Sequence, residues 1–326
     1  MEQNKQTLVI GIDVGGQTTG LGVVNAKGEI LYHSVISSLQ NTLSEYIDDI
    51  TKAINGLVQD SKNDGVIKGI GIGAPNGNYY RGTIEFAPNL KWAHDENGKA
   101  MVIDFANMIK NIVGIPVAIT NDANAAAVGE MTYGIAKGMK NFIMITLGTG
   151  VGSGIVVDGK IVYGHDGFAG ELGHTTIIRD GRQCGCGRKG CLETYTSATG
   201  VARTAREFLT TKDQDSILRQ FDPEKITSKD VYDAATKGDK MAIDIFHYTG
   251  KIMGMAFADF VAFSAPEAII LFGGLSKSKE FLTESILESM NDNLLNMWKG
   301  KIRLLYSTLK DSDAAILGAS ALAWEL

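Results

Sequence analysis

Proline is scarce in this chain, five in 326 residues, and no Pro-rich or Ser-rich stretch separates one part from another. Any division into domains must be read from internal repetition instead of a linker. Long apolar runs are missing too. The nearest to one, residues 252–272, is interrupted by Asp259, Pro266 and Glu267, short of the roughly 18 uninterrupted apolar residues of a membrane span. There is no basic run. Lys and Arg total 31 against 37 Asp and Glu, the formal charge is -6, and no cationic stripe can track a phosphate backbone, so neither a membrane nor a nucleic acid is an expected partner. Residues 1–7 are polar and lead into an apolar strand without the basic stretch and apolar core of a secretory leader, so a cytoplasmic location is expected. Disulfides are disfavoured in that compartment.

What is present is an ordinary globular composition, 44% hydrophobic and 21% charged, with one unusual feature, 39 glycines. They cluster at 11–22, 69–77, 148–154, 164–173 and 181–190, which marks tight turns and close backbone approach. The length exceeds what one core usually holds, so two lobes with a cleft are expected. Self-comparison supports this. Residues 8–31 (LVIGIDVGGQTTGLGVVNAKGEIL) and 142–164 (FIMITLGTGVGSGIVVDGKIVYG) each show an apolar run, a Gly-rich turn with Thr, a second apolar run, a polar turn and a third apolar stretch. One strand meander in each of two α/β lobes follows, the first lobe being 1–120 plus 310–326 and the second 121–309. Further along, the pattern predicts a helix from Asp104 to Gly114, a strand from Pro116 to Thr120, and a helix from Asn124 to Tyr133. A capping box at Thr227 and Asp230 starts a helix that Gly238 suits as an end. A long helix runs from Asp239 to Phe263, a buried strand from Ala268 to Phe272, and a small-residue helix from Ala314 to Trp324 that packs back on the first lobe.

The residues that carry chemistry begin with the cysteines. All three, Cys184, Cys186 and Cys191, fall in one C-x-C-x4-C segment whose glycines let it fold around a point. With His174 upstream they make a tetrahedral donor set for a closed structural zinc, against the plainer reading of three unrelated thiols. Asp13, Gly15, Gly16, Gln17 and Thr18 form a Gly-rich turn after a strand, suited to phosphate oxygens, with Asp13 able to hold magnesium or its water. A second such turn, Gly148, Thr149 and Gly150, can oppose it. Asp122 ends a strand and starts a helix, and from position alone a helix cap is the favoured reading. Glu171 lies three residues from His174 and Glu193 two from Cys191, so a metal there would fix both carboxylates where sugar hydroxyls can be bound.

Together these motifs, above all GTGVGSGIVVDGKIVYGHDGFAGELGH at 148–174 and CGCGRKGCLE at 184–193, resemble the ROK family (repressors, open reading frames and kinases) from Val9 to about Ala323. The resemblance implies a two-lobed actin-like ATPase (ribonuclease H-like) fold of the sugar kinase, hsp70 and actin superfamily. It implies an ATP- and magnesium-dependent kinase for the C6 hydroxyl of a hexose, glucose first, with N-acetylmannosamine, N-acetylglucosamine, fructose or allose as alternatives. Asp122 then matches the catalytic base. Asn89, Asn121, Glu171, His174 and Glu193 match sugar-binding residues, the two Gly turns match phosphate loops, and Gly273 and Gly274 match the turn against adenosine. A homodimer or homotetramer is implied. The first turn departs from the family's frequent Asp-x-Gly-Gly-Thr-Lys by reading Gln17-Thr18, so phosphate contact there rests on N–H and hydroxyl groups. The turn Pro75-Asn76-Gly77-Asn78 is Asn-rich where glucokinase-like members often have Pro-Gly. The repressor branch carries a helix-turn-helix module ahead of the core, whereas about seven residues precede the first strand here, and a sensor without catalysis is expected to lack the aspartate at 122.

Overall fold

A computed structural model describes residues 5–326; residues 1–4, the start of the polar lead-in, lie outside the described residues. The chain packs as two compact units. The first takes the chain through Met139, Ile161–Gly170 and Thr308–Leu326, and the second takes Lys140–Lys160 and Glu171–Ser307. The sequence reading cut the chain near residue 120, whereas the packing keeps the next helix with the first unit.

The first unit opens with β1 (Gln6–Val14), β2 (Thr18–Asn25) and β3 (Ile30–Ser37), an antiparallel meander. Helix α1 (Leu43–Ser61) follows, started by a capping box in which Thr42 and Glu45 satisfy each other's backbone N–H groups. It leads to β4 (Gly65–Gly73), parallel to β1. Three short strands, β5 (Gly77–Asn78), β6 (Thr83–Glu85) and β7 (Val102–Ile103), make a small separate sheet. Then come α2 (Phe105–Val113), closed by left-handed Gly114, β8 (Val117–Thr120) and α3 (Asp122–Thr132). The main sheet has the order β3-β2-β1-β4-β8.

The second unit repeats the plan. It contains β9 (Phe142–Leu147), β10 (Val151–Val157), β11 (Lys160–Ile161), the helices α4 (Glu193–Thr196), α5 (Ala198–Thr211), α6 (Ser228–Ala235) and α7 (Lys240–Ser264), β12 (Ala268–Phe272), α8 (Lys279–Asn293) and β13 (Arg303–Tyr306). Its sheet order, β11-β10-β9-β12-β13, matches the first sheet position by position, with β9 and β10 antiparallel and β12 parallel to β9 and β13. The two meanders read from the sequence therefore occupy equivalent places. Helix α7 begins at its Asp239 cap and stops at left-handed Ala265, just before Pro266. Helix α6 has the expected capping box but ends at Ala235, so Gly238 serves the following turn and not the helix end.

Helix α9 (Asp311–Ala323) returns to the first unit. Alternation along β1 explains how the sheet is covered on both faces. Leu8, Ile10 and Ile12 join Tyr46, Ile50 and Ile54 of α1 with Trp92 and Phe105 in one core, while Val9 joins Ile316, Leu317 and Ala323 of α9 in another. Glycine is needed on the α9 face. A Cβ on Gly11 would lie 2.0 Å from the Ile316 carbonyl oxygen, and one on Gly71 would lie 1.9 Å from that of Ala319. The GIGIG pattern of β4 thus records a helix backbone lying against a sheet backbone. Among the described residues no helix is long and apolar enough to cross a membrane.

Candidate functional site

Parallel strands β1, β4 and β8 bring Asp13, Gly73 and Thr120 into one row at their C-terminal ends, where open α/β sheets place ligands. The turn after Asp13 is closed by the Gly15 N–H donating to the Thr18 carbonyl at 3.0 Å. Gln17 and Thr18 are exposed on it. Asn89 backs this turn, since a Cβ on Gly16 would meet the Asn89 carbonyl oxygen at 3.0 Å.

At the end of β8 the helix cap is Asn121, not Asp122. The Asn121 Oδ1 accepts the Asn124 N–H at 2.7 Å, and Asp122 is the first helical residue, its Oδ1 accepting the Ala123 N–H at 2.9 Å. The cap is therefore the neighbour, and Asp122 is an exposed residue whose Cα lies against Gly73. Although Asp122 is exposed as a residue, protein crowds its carboxylate closely enough that desolvation raises its pKa, against the pull of the Ala123 N–H. Asp13 is affected in the same way: burial, and secondly the charge of Asp122, push it up to about 6. Two crowded carboxylates, the charge of Asp122 raising the proton affinity of Asp13, form an anionic pair suited to a proton or a divalent cation.

The second unit carries the other group of residues. His174, Cys184, Cys186 and Cys191 converge so that their ligand atoms all lie within 4.8 Å of one another. The Cys186 and Cys191 sulfurs are 3.7 Å apart and the Cys184 sulfur is 3.7 Å from His174 Nδ1. A regular tetrahedron with Zn–S bonds of about 2.3 Å has edges of roughly 3.8 Å, so the spacing suits zinc and is far too long for a disulfide. The donor set, three soft thiols and an imidazole, fits the same ion. Without a cation, burial and the neighbouring thiols push Cys191 up to about 12. The loop holding them is tight: the Gly187 N–H donates to the Cys184 carbonyl at 3.1 Å, and a Cβ on Gly190 would lie 1.6 Å from the Ile178 carbonyl oxygen.

Glu193 starts α4 two residues after Cys191, and its Oε2 accepts the Val151 N–H at 2.9 Å, beside the turn Gly148–Gly150. The exposed Glu171 and the half-exposed His174 bracket Gly173, whose own Cβ would lie 2.1 Å from the Val151 carbonyl oxygen. Gly273 follows β12 with φ 99°, close enough to β9 that a Cβ would meet the Leu147 carbonyl oxygen at 2.6 Å, while Gly274 faces open space. Each unit thus gathers its own expected residues: Asp13, the first Gly turn, Asn89, Asn121 and Asp122 in the first, and the second Gly turn, Glu171, His174, the thiols, Glu193 and Gly273–Gly274 in the second.

Sequence reasoning passed over Arg182. Its guanidinium is almost fully buried and bonds the Glu207 carboxylate twice, the Thr194 and Gly200 carbonyls and the Thr204 hydroxyl, and it lies 4.4 Å above the Tyr195 ring. It fastens the cysteine loop to α4 and α5. Only its place two residues before Cys184 could have signalled it, because Glu207 is far along the chain.

The family model for the ROK family matches residues 9–325. The chain belongs to the ROK family. This ROK chain is 35% identical over 317 residues to a glucokinase of Halalkalibacterium halodurans, across 95% of itself and 92% of that protein. It superposes on a crystal structure of a ROK family glucokinase from Streptomyces griseus in complex with glucose and AMPPNP, with a TM-score of 0.77, 32% identity and coverage of 98% of this chain and 100% of that one. It is also 29% identical over 320 residues to a xylose repressor of Caldicellulosiruptor bescii, across 96% of this chain and 77% of the repressor. The fold is that of the ROK sugar kinases, with its two equivalent sheets.

Proposed function

We propose that this ROK chain is an ATP-dependent hexose kinase that phosphorylates the C6 hydroxyl of glucose. The observation that carries the reading is an uncapped, water-accessible Asp122 at the strand ends beside Asp13, with its proton affinity raised by burial. The glucokinase relatives support glucose as the acceptor.

In this reading Asp122 accepts the proton of the sugar hydroxyl as that oxygen attacks the γ-phosphorus. Asn121 donates its Nδ2 hydrogens to the sugar while its Oδ1 keeps the helix cap, and Asn89, Glu171, His174 and Glu193 bind the remaining hydroxyls. His174 serves with Nε2, because Nδ1 faces the thiols. The turns at 15–18 and 148–150 offer N–H and hydroxyl donors to phosphate oxygens, and Gly273–Gly274 leaves room for adenosine. Magnesium, when bound, neutralises phosphate charge, and Asp13 would hold it or its water. Zinc would be held by His174 and the three thiolates, with all four positions filled by protein and no open site for water. A cytoplasmic homodimer or homotetramer accompanies this reading, tested by light scattering.

A coupled ADP-release assay over glucose, fructose, allose, N-acetylglucosamine and N-acetylmannosamine tests the proposal. Turnover should be highest on glucose. The kinship with repressors favours one other reading, a sugar-binding sensor without catalysis, and sugar binding with no turnover on any hexose would establish it instead.

A further inference from the structure

We propose that Glu193 couples the sugar and nucleotide sites by holding the second glycine turn in shape, so that each ligand biases affinity for the other. This rests on the kinase reading. The Val151 N–H that Glu193 Oε2 accepts at 2.9 Å belongs to the residue immediately after the turn. That turn is closed internally by the Gly148 N–H donating to the Gly150 carbonyl at 3.0 Å. Glu193 also presses on the turn directly, since a Cβ on Gly150 would fall 2.5 Å from the same Oε2. Its other oxygen faces the Cys184 sulfur at 3.8 Å.

The same residue, Val151, is gripped from the sugar side a second time, on its following peptide. Gly173, between Glu171 and His174, seats against the Val151 carbonyl, and the Leu172 N–H donates to Ser153 Oγ at 3.0 Å. The turn is further suspended from the start of α5, where the Ala198 N–H donates to the Gly148 carbonyl and the Thr199 hydroxyl to the Thr149 carbonyl, both at 2.9 Å. Residues assigned to the sugar and residues assigned to phosphate therefore meet at one backbone unit. A sugar hydroxyl that fixes the Glu193 carboxylate fixes the N–H it holds, and with it the donors that the turn presents. Binding free energies are linked, so the coupling factor must be equal in both directions.

Calorimetric titration of binary complexes tests this on the zinc-loaded protein. Wild type must bind AMPPNP and glucose separately; if it binds neither, it is the kinase reading that fails. Glu193→Ala should weaken AMPPNP binding in the absence of any sugar by roughly tenfold, the scale of a lost hydrogen bond to a charged group. A residue serving only the sugar would leave that constant unchanged, and such a result overturns the proposal. Gly150→Ala, in the nucleotide turn, should weaken glucose binding in the absence of nucleotide by several-fold, with retained zinc and an unchanged melting temperature as the folding control. In wild type, glucose affinity should rise by one factor with saturating AMPPNP, and AMPPNP affinity by the same factor with saturating glucose. Equal affinities with and without the second ligand would also overturn the coupling.

Discussion

Replacing Asp122 with Asn removes one proton acceptor and changes little else. The variant keeps an amide oxygen for the Ala123 N–H, which Asp122 Oδ1 accepts at 2.9 Å, and the helix start stays capped by Asn121 through its 2.7 Å bond to the Asn124 N–H. Because burial already disfavours the charged carboxylate, the neutral side chain costs no stability, and the melting temperature should hold or rise slightly. Turnover behaves differently. A positioned general base contributes about 10²–10⁴-fold, so kcat should fall by that factor. This corresponds to about 3–5 kcal/mol of lost transition-state stabilisation at ~1.36 kcal/mol per tenfold. The glucose dissociation constant, measured by calorimetry without nucleotide, should change by far less than kcat in the coupled ADP-release assay. Asn121→Ala provides the contrast: it removes the cap and should cost ~1 kcal/mol of stability. An Asp122→Asn enzyme that turns over near the native rate would refute the base assignment.

Three more outcomes are expected. Burial and, secondly, the charge of Asp122 push the Asp13 carboxyl up to about 6, so kcat/KM for magnesium nucleotide should decline as pH falls through about 6, where the protonated carboxyl no longer attracts the cation; Asp13→Asn should lose this limb, and an unshifted limb near pH 4 would count against the burial of Asp13 and its pairing with Asp122. Zinc should be present at one ion per chain, and Cys186→Ser or prolonged chelation should lower the melting temperature and raise the sugar KM; colorimetric metal release checks it, and a stable metal-free enzyme with native KM would refute it. Gly71→Ala should destabilise by about 1–3 kcal/mol or more, since its Cβ falls 1.9 Å from the Ala319 carbonyl oxygen; thermal or denaturant unfolding measures it, and unchanged stability would contradict the close packing of α9.

Much of this was legible because the signals are local. A capping box, a proline stop and a continuous apolar run act over a few residues, and they placed α6, α7 and β12 well. The cysteine spacing delivered the Cys3His cluster, since a short loop must bring its own side chains together. What escaped depends on tertiary neighbours. Asn and Asp cap helices almost equally well, so sequence could not choose between Asn121 and Asp122, and the α3 start was read two residues late. The assignment of α3 to the first unit follows from small residues on both sides, Gly129 against Gly318 and Gly318 against Ala125, which no local rule pairs. The Glu193 contact runs to a backbone N–H, a group that every residue except proline possesses. Arg182 and Glu207 meet only once the cysteine loop and α5 have folded.

The placement of α9 has a consequence for synthesis. A ribosome finishes the strands of the first sheet long before it reaches residue 311, and at about 5–20 residues per second the interval after residue 139 is on the order of ten to thirty seconds. During that time the glycine-lined side of β1 and β4 has no helix to cover it, and the second sheet is itself incomplete until β13 is made. The first sheet is therefore made early but covered last, and its unfinished face is where a cellular chaperone would find the nascent chain.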